Sequence, residues 1–187
     1  MIEIIVHAYS KTRIQEQQPT LRWIEEQREN GIEIASFPTD DNQGYSNLII
    51  EYLKISKAFI VLEQDLVPSD ELLWSLVFCP YPLCVSNYTL YTTSTLLADN
   101  VYVNRNVTKS FKNSILGAEW VTQSAEWCDL YGLGFTAFKD DGTLFNEILS
   151  EFKPCHYTTV DHLISQITWR HGRKAHIHHE PIIHNHR

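Results

Sequence analysis

The sequence is short of positive charge: 15 Lys and Arg stand against 23 Asp and Glu, a net charge of −8. A chain built to grip a nucleic-acid backbone carries the opposite balance, so no nucleic-acid polymer is expected as a partner. A small phosphorylated ligand whose charge is met by a metal stays compatible. No uncharged apolar run approaches the length of a membrane span, so none is expected. Residues 1–6 carry no basic leader and no small-residue cleavage site, so no signal peptide is expected and the expected location is cytoplasmic. A Gly-x-Ser-x-Gly elbow is missing, which leaves a serine-hydrolase triad unsupported. A Gly-x-x-x-x-Gly-Lys-Ser/Thr loop is missing too, which leaves a P-loop nucleotidase unsupported. Internal repeats, low-complexity tracts and long Pro/Gly linkers are absent, so the 187 residues read as one domain.

Cysteine is scarce: Cys79, Cys84, Cys128 and Cys155 are all there is. The first two bracket Pro-Tyr-Pro-Leu, a spacing that suggests a staple or a metal knuckle. With no matching second pair a zinc ribbon is not expected, and the thiols are expected reduced and structural. What the chain does have is 43% hydrophobic residues, enough for a sizeable core, and an uneven distribution of histidine. Of nine histidines, eight lie between His156 and His186, and five fall in the last twelve residues.

The first third alternates strand and helix signals. Residues 2–6 form a β-rich run. Pro19 is placed to start a helix over 20–30, which Gly31 stops. Residues 32–37 read as a second strand, broken by Pro38 and the turn-rich stretch 40–44. Leu48, Ile49, Tyr52 and Ile55 mark a helix over 46–56. Residues 58–62, Ala-Phe-Ile-Val-Leu, are apolar at every position, as a strand buried on both faces requires. This is the pattern of a doubly wound α/β fold, whose ligands bind at the carboxyl ends of the strands. Residues 7–10, 40–47 and 63–65 then share that edge. Further on, 87–93, 101–103 and 132–138 read as short strands. Val160, Leu163, Ile164 and Ile167 stripe a helix over 158–171, with Thr158 and Asp161 spaced as a capping box and Gly172 as its stop. Residues 175–179 read as a last strand.

Glu63 and Asp65 follow the buried strand at an interval that points both side chains the same way. Two hard oxygen donors there suit Mg²⁺ or Mn²⁺ held together with substrate phosphates. In the tail, His176 and His178 share one face, as do His184 and His186 if that segment is extended, and Pro181 lets the chain fold back toward the same edge. Mixed carboxylate–imidazole coordination favours Mn²⁺. Tyr9 is placed to stack on a base, with His7 beside it, and Asp41 or Asn42 to bond the base edge. Trp120 and Trp127 offer faces for an acceptor sugar, or serve the core.

The run ending Phe-Ile-Val-Leu-Glu63-Gln-Asp65-Leu-Val-Pro68 resembles the acidic metal-binding segment of glycosyltransferases with the GT-A fold. Residues 40–47, Asp-Asp-Asn-Gln-Gly-Tyr-Ser-Asn, are similar to the donor-binding loop and following helix of family 2-like members. Residues 132–138, then Val160-Asp161-His162, then the late histidines, follow the same order, and small bacteriophage and archaeal-virus proteins look similar. The resemblance implies an α/β, single GT-A-like (Rossmann-like) domain with a mainly parallel sheet, residues 1–68 forming the nucleotide-binding half and 69–187 the acceptor and metal half. It further implies sugar transfer from a nucleotide-sugar donor to a carbohydrate or protein acceptor, with inversion the expected outcome, in the host cytoplasm if the protein is viral. Asp65 is then the first metal ligand, with Glu63 on metal or donor, and His178, His184 and His186 as histidine ligands. Asp161 is the expected catalytic base, and His7, Tyr9, Asp41, Asn42, Asn47 and Glu63 the donor-binding set. A metal-dependent hydrolase and a non-catalytic sugar-nucleotide-binding domain are the alternatives. One departure from the family pattern is Glu63 where an Asp is usual; the other is the chain's short length.

Overall fold

The computed structural model describes residues 2–12, 14–41, 43–87, 89–93, 102–106, 109–111, 118–120 and 125–184. The chain opens as β1 (Ile4–Tyr9), α1 (Ile14–Glu29), β2 (Ile34–Pro38), α2 (Gly44–Ile55) and β3 (Ala58–Glu63). β1 pairs in parallel with β2 on one side and with β3 on the other. The chain therefore leaves β1 in one direction and crosses back over it, so the strand order reverses between β1 and β3. A reversal of this kind opens a crevice at the carboxyl ends of the two strands.

The helices divide between the faces of the sheet. Trp23 and Ile24 of α1 pack with Ile5, Ile60 and Leu62, whereas Leu48, Ile49 and Tyr52 of α2 pack with Val6, Phe59 and Val61. Alternate residues of β3 thus enter two different cores, and this is why its sequence shows no polar position between Ala58 and Leu62. Residues 59–62 are fully buried. At about 25 cal/mol per Å² of apolar surface, such side chains supply roughly 1.5–3 kcal/mol each.

β4 (Leu66–Pro68), α3 (Asp70–Phe78) and β5 (Leu83–Ser86) follow. Two hairpin pairs come next, β6 (Thr89–Thr93) with β7 (Tyr102–Asn106) and β8 (Lys109–Phe111) with β9 (Ala118–Trp120). The chain then rejoins the main sheet through β10 (Trp127–Cys128) and β11 (Phe135–Lys139), and continues as α4 (Leu144–Glu151), α5 (Val160–Arg170), β12 (Ala175–His178) and β13 (Ile182–His184). The seven-stranded order is β10-β12-β5-β11-β3-β1-β2, with β3 in the interior as its composition requires. β1, β2, β3, β5 and β12 run one way and β10 and β11 the other, so the fold is α/β with a mixed sheet. Antiparallel neighbours need no crossover helix, and the described residues between β5 and β11 contain none. Among the described residues no helix is long and apolar enough to cross a membrane.

Three local expectations are corrected. α1 begins at Ile14, with Pro19 inside it rather than at its start. Thr159, not Thr158, precedes α5, and its side chain makes no capping bond, so the expected capping box is not formed. Cys79 and Cys84 are joined as a disulfide instead of standing reduced, while buried Cys128 and half-buried Cys155 are free.

Candidate functional site

A cavity of about 510 Å³ opens at the β1/β3 crevice. Its acidic wall comes from two segments far apart in sequence: Glu63 ends β3 with Asp65 two residues on, and Asp161 stands in the first turn of α5. The sequence reading named all three carboxylates, and the fold brings them to one cavity. Among the described residues, no Lys or Arg lines it.

The electrostatics follow from that crowding. Burial, then the charges of Asp161 and Asp65, push the Glu63 carboxyl up to about 8. Tyr45, from the first turn of α2, donates its hydroxyl to Glu63 Oε1 at 2.9 Å and opposes the shift. Burial also raises Asp161, countered by hydrogen bonds from its own amide and that of Leu133 and by nearby His162. The Leu133 amide therefore fixes the Asp161 carboxylate against the loop that leads into β11. Asp65 is only 7% exposed. Three neighbouring carboxyl groups without a lining cation either hold protons or invite a divalent ion.

The loop after β1 is held by polar side chains. Gln64 Oε1 accepts from the Ser10 amide at 2.5 Å. Asp40 Oδ1 accepts from Ser10 Oγ at 2.8 Å and from the Lys11 amide at 2.7 Å. Tyr9 lines the cavity at the end of β1, and Tyr157, 49% exposed, stands at its rim on the 3₁₀ turn Tyr157–Thr159. Two aromatic rings lining an acidic cavity suit a flat base or a sugar ring.

The other expected donor-binding residues lie elsewhere. His7 does not line the cavity: it lies beneath Tyr9 on the Ile5 face of β1, its ring stacked on that of Tyr9 with centroids 5.5 Å apart, and its Nδ1 meets Ser36 Oγ at 3.1 Å. Burial, helped by Arg28, lowers His7 to about 4, so it is a neutral core histidine. Its Nε2 has no hydrogen-bond partner. Asp41 Oδ1 accepts from the Gln43 amide at 2.8 Å and so shapes the entry to α2 rather than the cavity. Asn47 is exposed on α2 and outside the cavity lining. Asn42 lies outside the described residues.

The late histidines part company. β12 is separated from β3 by β5 and β11, about 14 Å at the usual strand spacing. His178 is therefore not beside Glu63 and Asp65, contrary to the expectation of a joint metal site. It neighbours His176, with Nε2 3.2 Å from His176 Nδ1. The reason is register: β12 pairs with β5, placing His176 opposite Cys84. β13 does return to the acidic edge, pairing His184 with Leu66, the residue after Asp65. His186 lies outside the described residues. Trp127 packs on Tyr81 and His176 with ring centroids 4.6 and 5.1 Å apart, away from the cavity, and the side chain of Trp120 is not described.

Sequence reasoning missed Asp40, Tyr45, Gln64 and Tyr157. Asp40 and Tyr45 stood inside the loop read as donor-binding, and Tyr45 carries a signal in hindsight: it precedes the apolar stripe of α2 by three residues, on the same face. Gln64 sat between the two acids named. Nothing in sequence pointed Tyr157 at the site. No protein-family model and no curated protein matches the chain.

Proposed function

We propose that this chain is a metal-dependent glycosyltransferase with a GT-A-like fold, moving a sugar from a nucleoside-diphosphate sugar to an acceptor hydroxyl with inversion. The observation that carries the reading is the convergence of Glu63, Asp65 and Asp161 in a cavity at the strand-order reversal, with no cation among the described lining residues. The donor set fits Mn²⁺ or Mg²⁺: it consists of hard oxygens, and the crowding that keeps Glu63 protonated is relieved by a divalent charge. Asp65 and Glu63 would hold the ion, and His184 pairs in register with Leu66, the residue after Asp65. When bound, the ion supplies countercharge for the departing nucleoside diphosphate.

The chain's own residues account for the rest. Tyr9 and Tyr157 flank the base or sugar ring. Asp161, oriented by the Leu133 amide, accepts the acceptor's hydroxyl proton as that oxygen bonds to the anomeric carbon and the opposite carbon–oxygen bond to the diphosphate breaks. A carboxylate whose affinity for protons is raised by burial is better matched to this role at neutral pH than an exposed one. The acceptor is a carbohydrate or a protein hydroxyl.

The test is calorimetric titration with a panel of nucleoside diphosphates, with and without Mn²⁺, followed by diphosphate release from the matching sugar donors. Binding should require the metal, and Asp65→Ala should weaken it tenfold or more, about 1.4 kcal/mol. Failure of every nucleoside diphosphate to bind with Mn²⁺ overturns the reading. Release of free sugar at the same rate with and without acceptors would favour the hydrolase instead.

A further inference from the structure

A second cluster of chemistry-bearing side chains lies outside the acidic cavity. Cys79 caps the end of α3, Cys84 lies in β5, and His176 and His178 project from one face of β12. One ligand atom from each of the four lies within 4.8 Å of every other. We propose that, with its cysteines reduced, this cluster is a structural Zn²⁺ site of two thiolates and two imidazoles. The inference is independent of the transferase reading.

Four features point to a transition ion rather than to packing alone. The donor types are the soft and borderline ones that zinc prefers, and the Cys-x₄-Cys spacing lies within the range of structural zinc sites. The Cα atoms of Cys79 and Cys84 are 7.0 Å apart, at the outer reach of a disulfide. Two thiolates on one zinc stand about 3.8 Å apart, from the usual bond length and a tetrahedral angle, and suit that separation. On reduction the bonded sulfurs would part to that separation, while the widest-spaced ligand atoms, now within 4.8 Å, would draw together by about 1 Å to fill a tetrahedron.

Second, the imidazoles are aimed. Cys79 Sγ is 3.6 Å from His176 Nδ1, and His178 presents Nε2 toward the same point, 3.2 Å from that nitrogen. Third, His178 has the outer partner that zinc-bound histidines use: its Nδ1 is 3.7 Å from Glu180 Oε2, while Glu180 Oε1 accepts from Ser75 Oγ at 2.6 Å. Glu180 Oε2 is buried without a hydrogen bond, and a proton on His178 Nδ1 drawn a few tenths of an ångström closer satisfies it.

Fourth, the surroundings close the site. Tyr81 and Trp127 lie against His176, with centroids 4.7 and 5.1 Å away. Lys139 Nζ donates to the carbonyls of Leu76 and Cys79 and holds the end of α3 in place. Four protein ligands leave no open position, so the role is to bind α3, β5 and β12 together rather than to activate water.

In the disulfide form the sulfurs bond each other. A phosphine reductant with one water supplies two electrons and two protons, leaving as its oxide and giving two thiols. Zinc then displaces both thiol protons. The experiment measures zinc content, thiol titration and Co²⁺ spectra on the full chain, purified anaerobically with such a reductant. The expected result is about one zinc per chain, two thiols exposed on chelation beyond those of Cys128 and Cys155, and the visible bands of tetrahedral cobalt–thiolate on substitution. Cys84→Ser and His178→Ala should each lower zinc affinity at least tenfold, and His178→Ala tests the imidazoles without disturbing the thiols. Should a variant fail to fold, cobalt titration of the reduced wild-type protein still decides. Reduced protein that takes up neither zinc nor cobalt, or a Co²⁺ spectrum unchanged by His178→Ala, overturns the proposal.

Discussion

At the scale of single residues, the cavity concentrates opposed titrations. Glu63 is raised from an ordinary 4.5 to about 8, so the folded state holds its proton where the unfolded chain has lost it. Its contribution is complete below pH 4.5 and is lost as pH rises toward 8. His7, lowered from 6.5 to about 4, acts the other way: its contribution is present above 6.5 and is lost as pH falls toward 4. Glu63→Gln keeps an acceptor for Tyr45 but cannot ionise. Its melting temperature should match wild type near pH 4.5 and exceed it by several degrees at pH 8.5 without metal, at about 2–4 °C per kcal/mol. Equal melting temperatures at both pH values would show that Glu63 is not held protonated. Mn²⁺ should reverse the order at pH 8.5, because the ion stabilises only the carboxylate. Asp161→Asn probes the proposed base. It should leave folding and donor binding intact and lower turnover by two orders of magnitude or more; turnover near wild type with a reduced melting temperature would make Asp161 a fixing point for the Leu133 loop. The three acids were legible because each adjoins a strong local signal, the end of a buried strand or the start of a striped helix. His7 misled because it sits two residues inside the strand end, fully buried beneath Tyr9, so only Tyr9 of that face reaches the cavity.

At the scale of elements, reading succeeded where one local force dominates. Gly31 and Gly172 stop α1 and α5 with positive φ of 84° and 74°, each with a pair of bonds back into the last turn. In α5 these are Gly172 N to Trp169 O at 2.8 Å and Arg173 N to Thr168 O at 2.9 Å. An added Cβ on Gly172 would meet nothing within 4 Å, so the cost of Gly172→Ala is conformational, about 1 kcal/mol. Chemical denaturation should show that loss, and Gly172→Asn, which tolerates this region better, should recover part of it. Equal stabilities of all three proteins would remove the capping account. The turn matters beyond its own helix, because it sets Arg173 against Asp141 and Glu147 of the α4 segment, each at 2.5 Å. α3 and α4 were not legible. α3 is apolar around nearly its whole circumference, with Trp74 and Phe78 exposed and stacked 5.7 Å apart, so no helical stripe stands out. α4 spans only eight residues, and short helices take their stability from packing rather than from propensity.

At the scale of the whole molecule, the C-terminal segment joins two sites that the sequence reading merged into one. Both histidine pairs were expected at the acidic edge, but alternation and proline could not say which strand each would pair with. Pairing between residues far apart in sequence decided it: β12 joins β5, and the chain then crosses to lay β13 against β4. The crossing is anchored at both ends, by Glu180 on Ser75 and by the Ser69 amide donating to Pro181 O at 3.0 Å. β4 begins one residue after Asp65, and its Leu66 is fully buried opposite His184. β13 therefore supports the backbone that carries Asp65, whatever His184 itself does. Two variants separate support from ligation. Ending the chain after Glu180 removes β13, leaves β4 unpaired and should weaken Mn²⁺-coupled nucleoside diphosphate binding at least tenfold, with earlier hydrogen exchange over residues 63–68. His184→Ala keeps the strand and should leave that exchange unchanged. A matching tenfold loss of Mn²⁺ affinity in His184→Ala would identify the imidazole as a ligand, and no loss would leave β13 as a backbone brace. Wild-type affinity and exchange in the shortened chain would show that Asp65 is held by β3 alone, and the coupling between tail and acidic cavity would have to be given up.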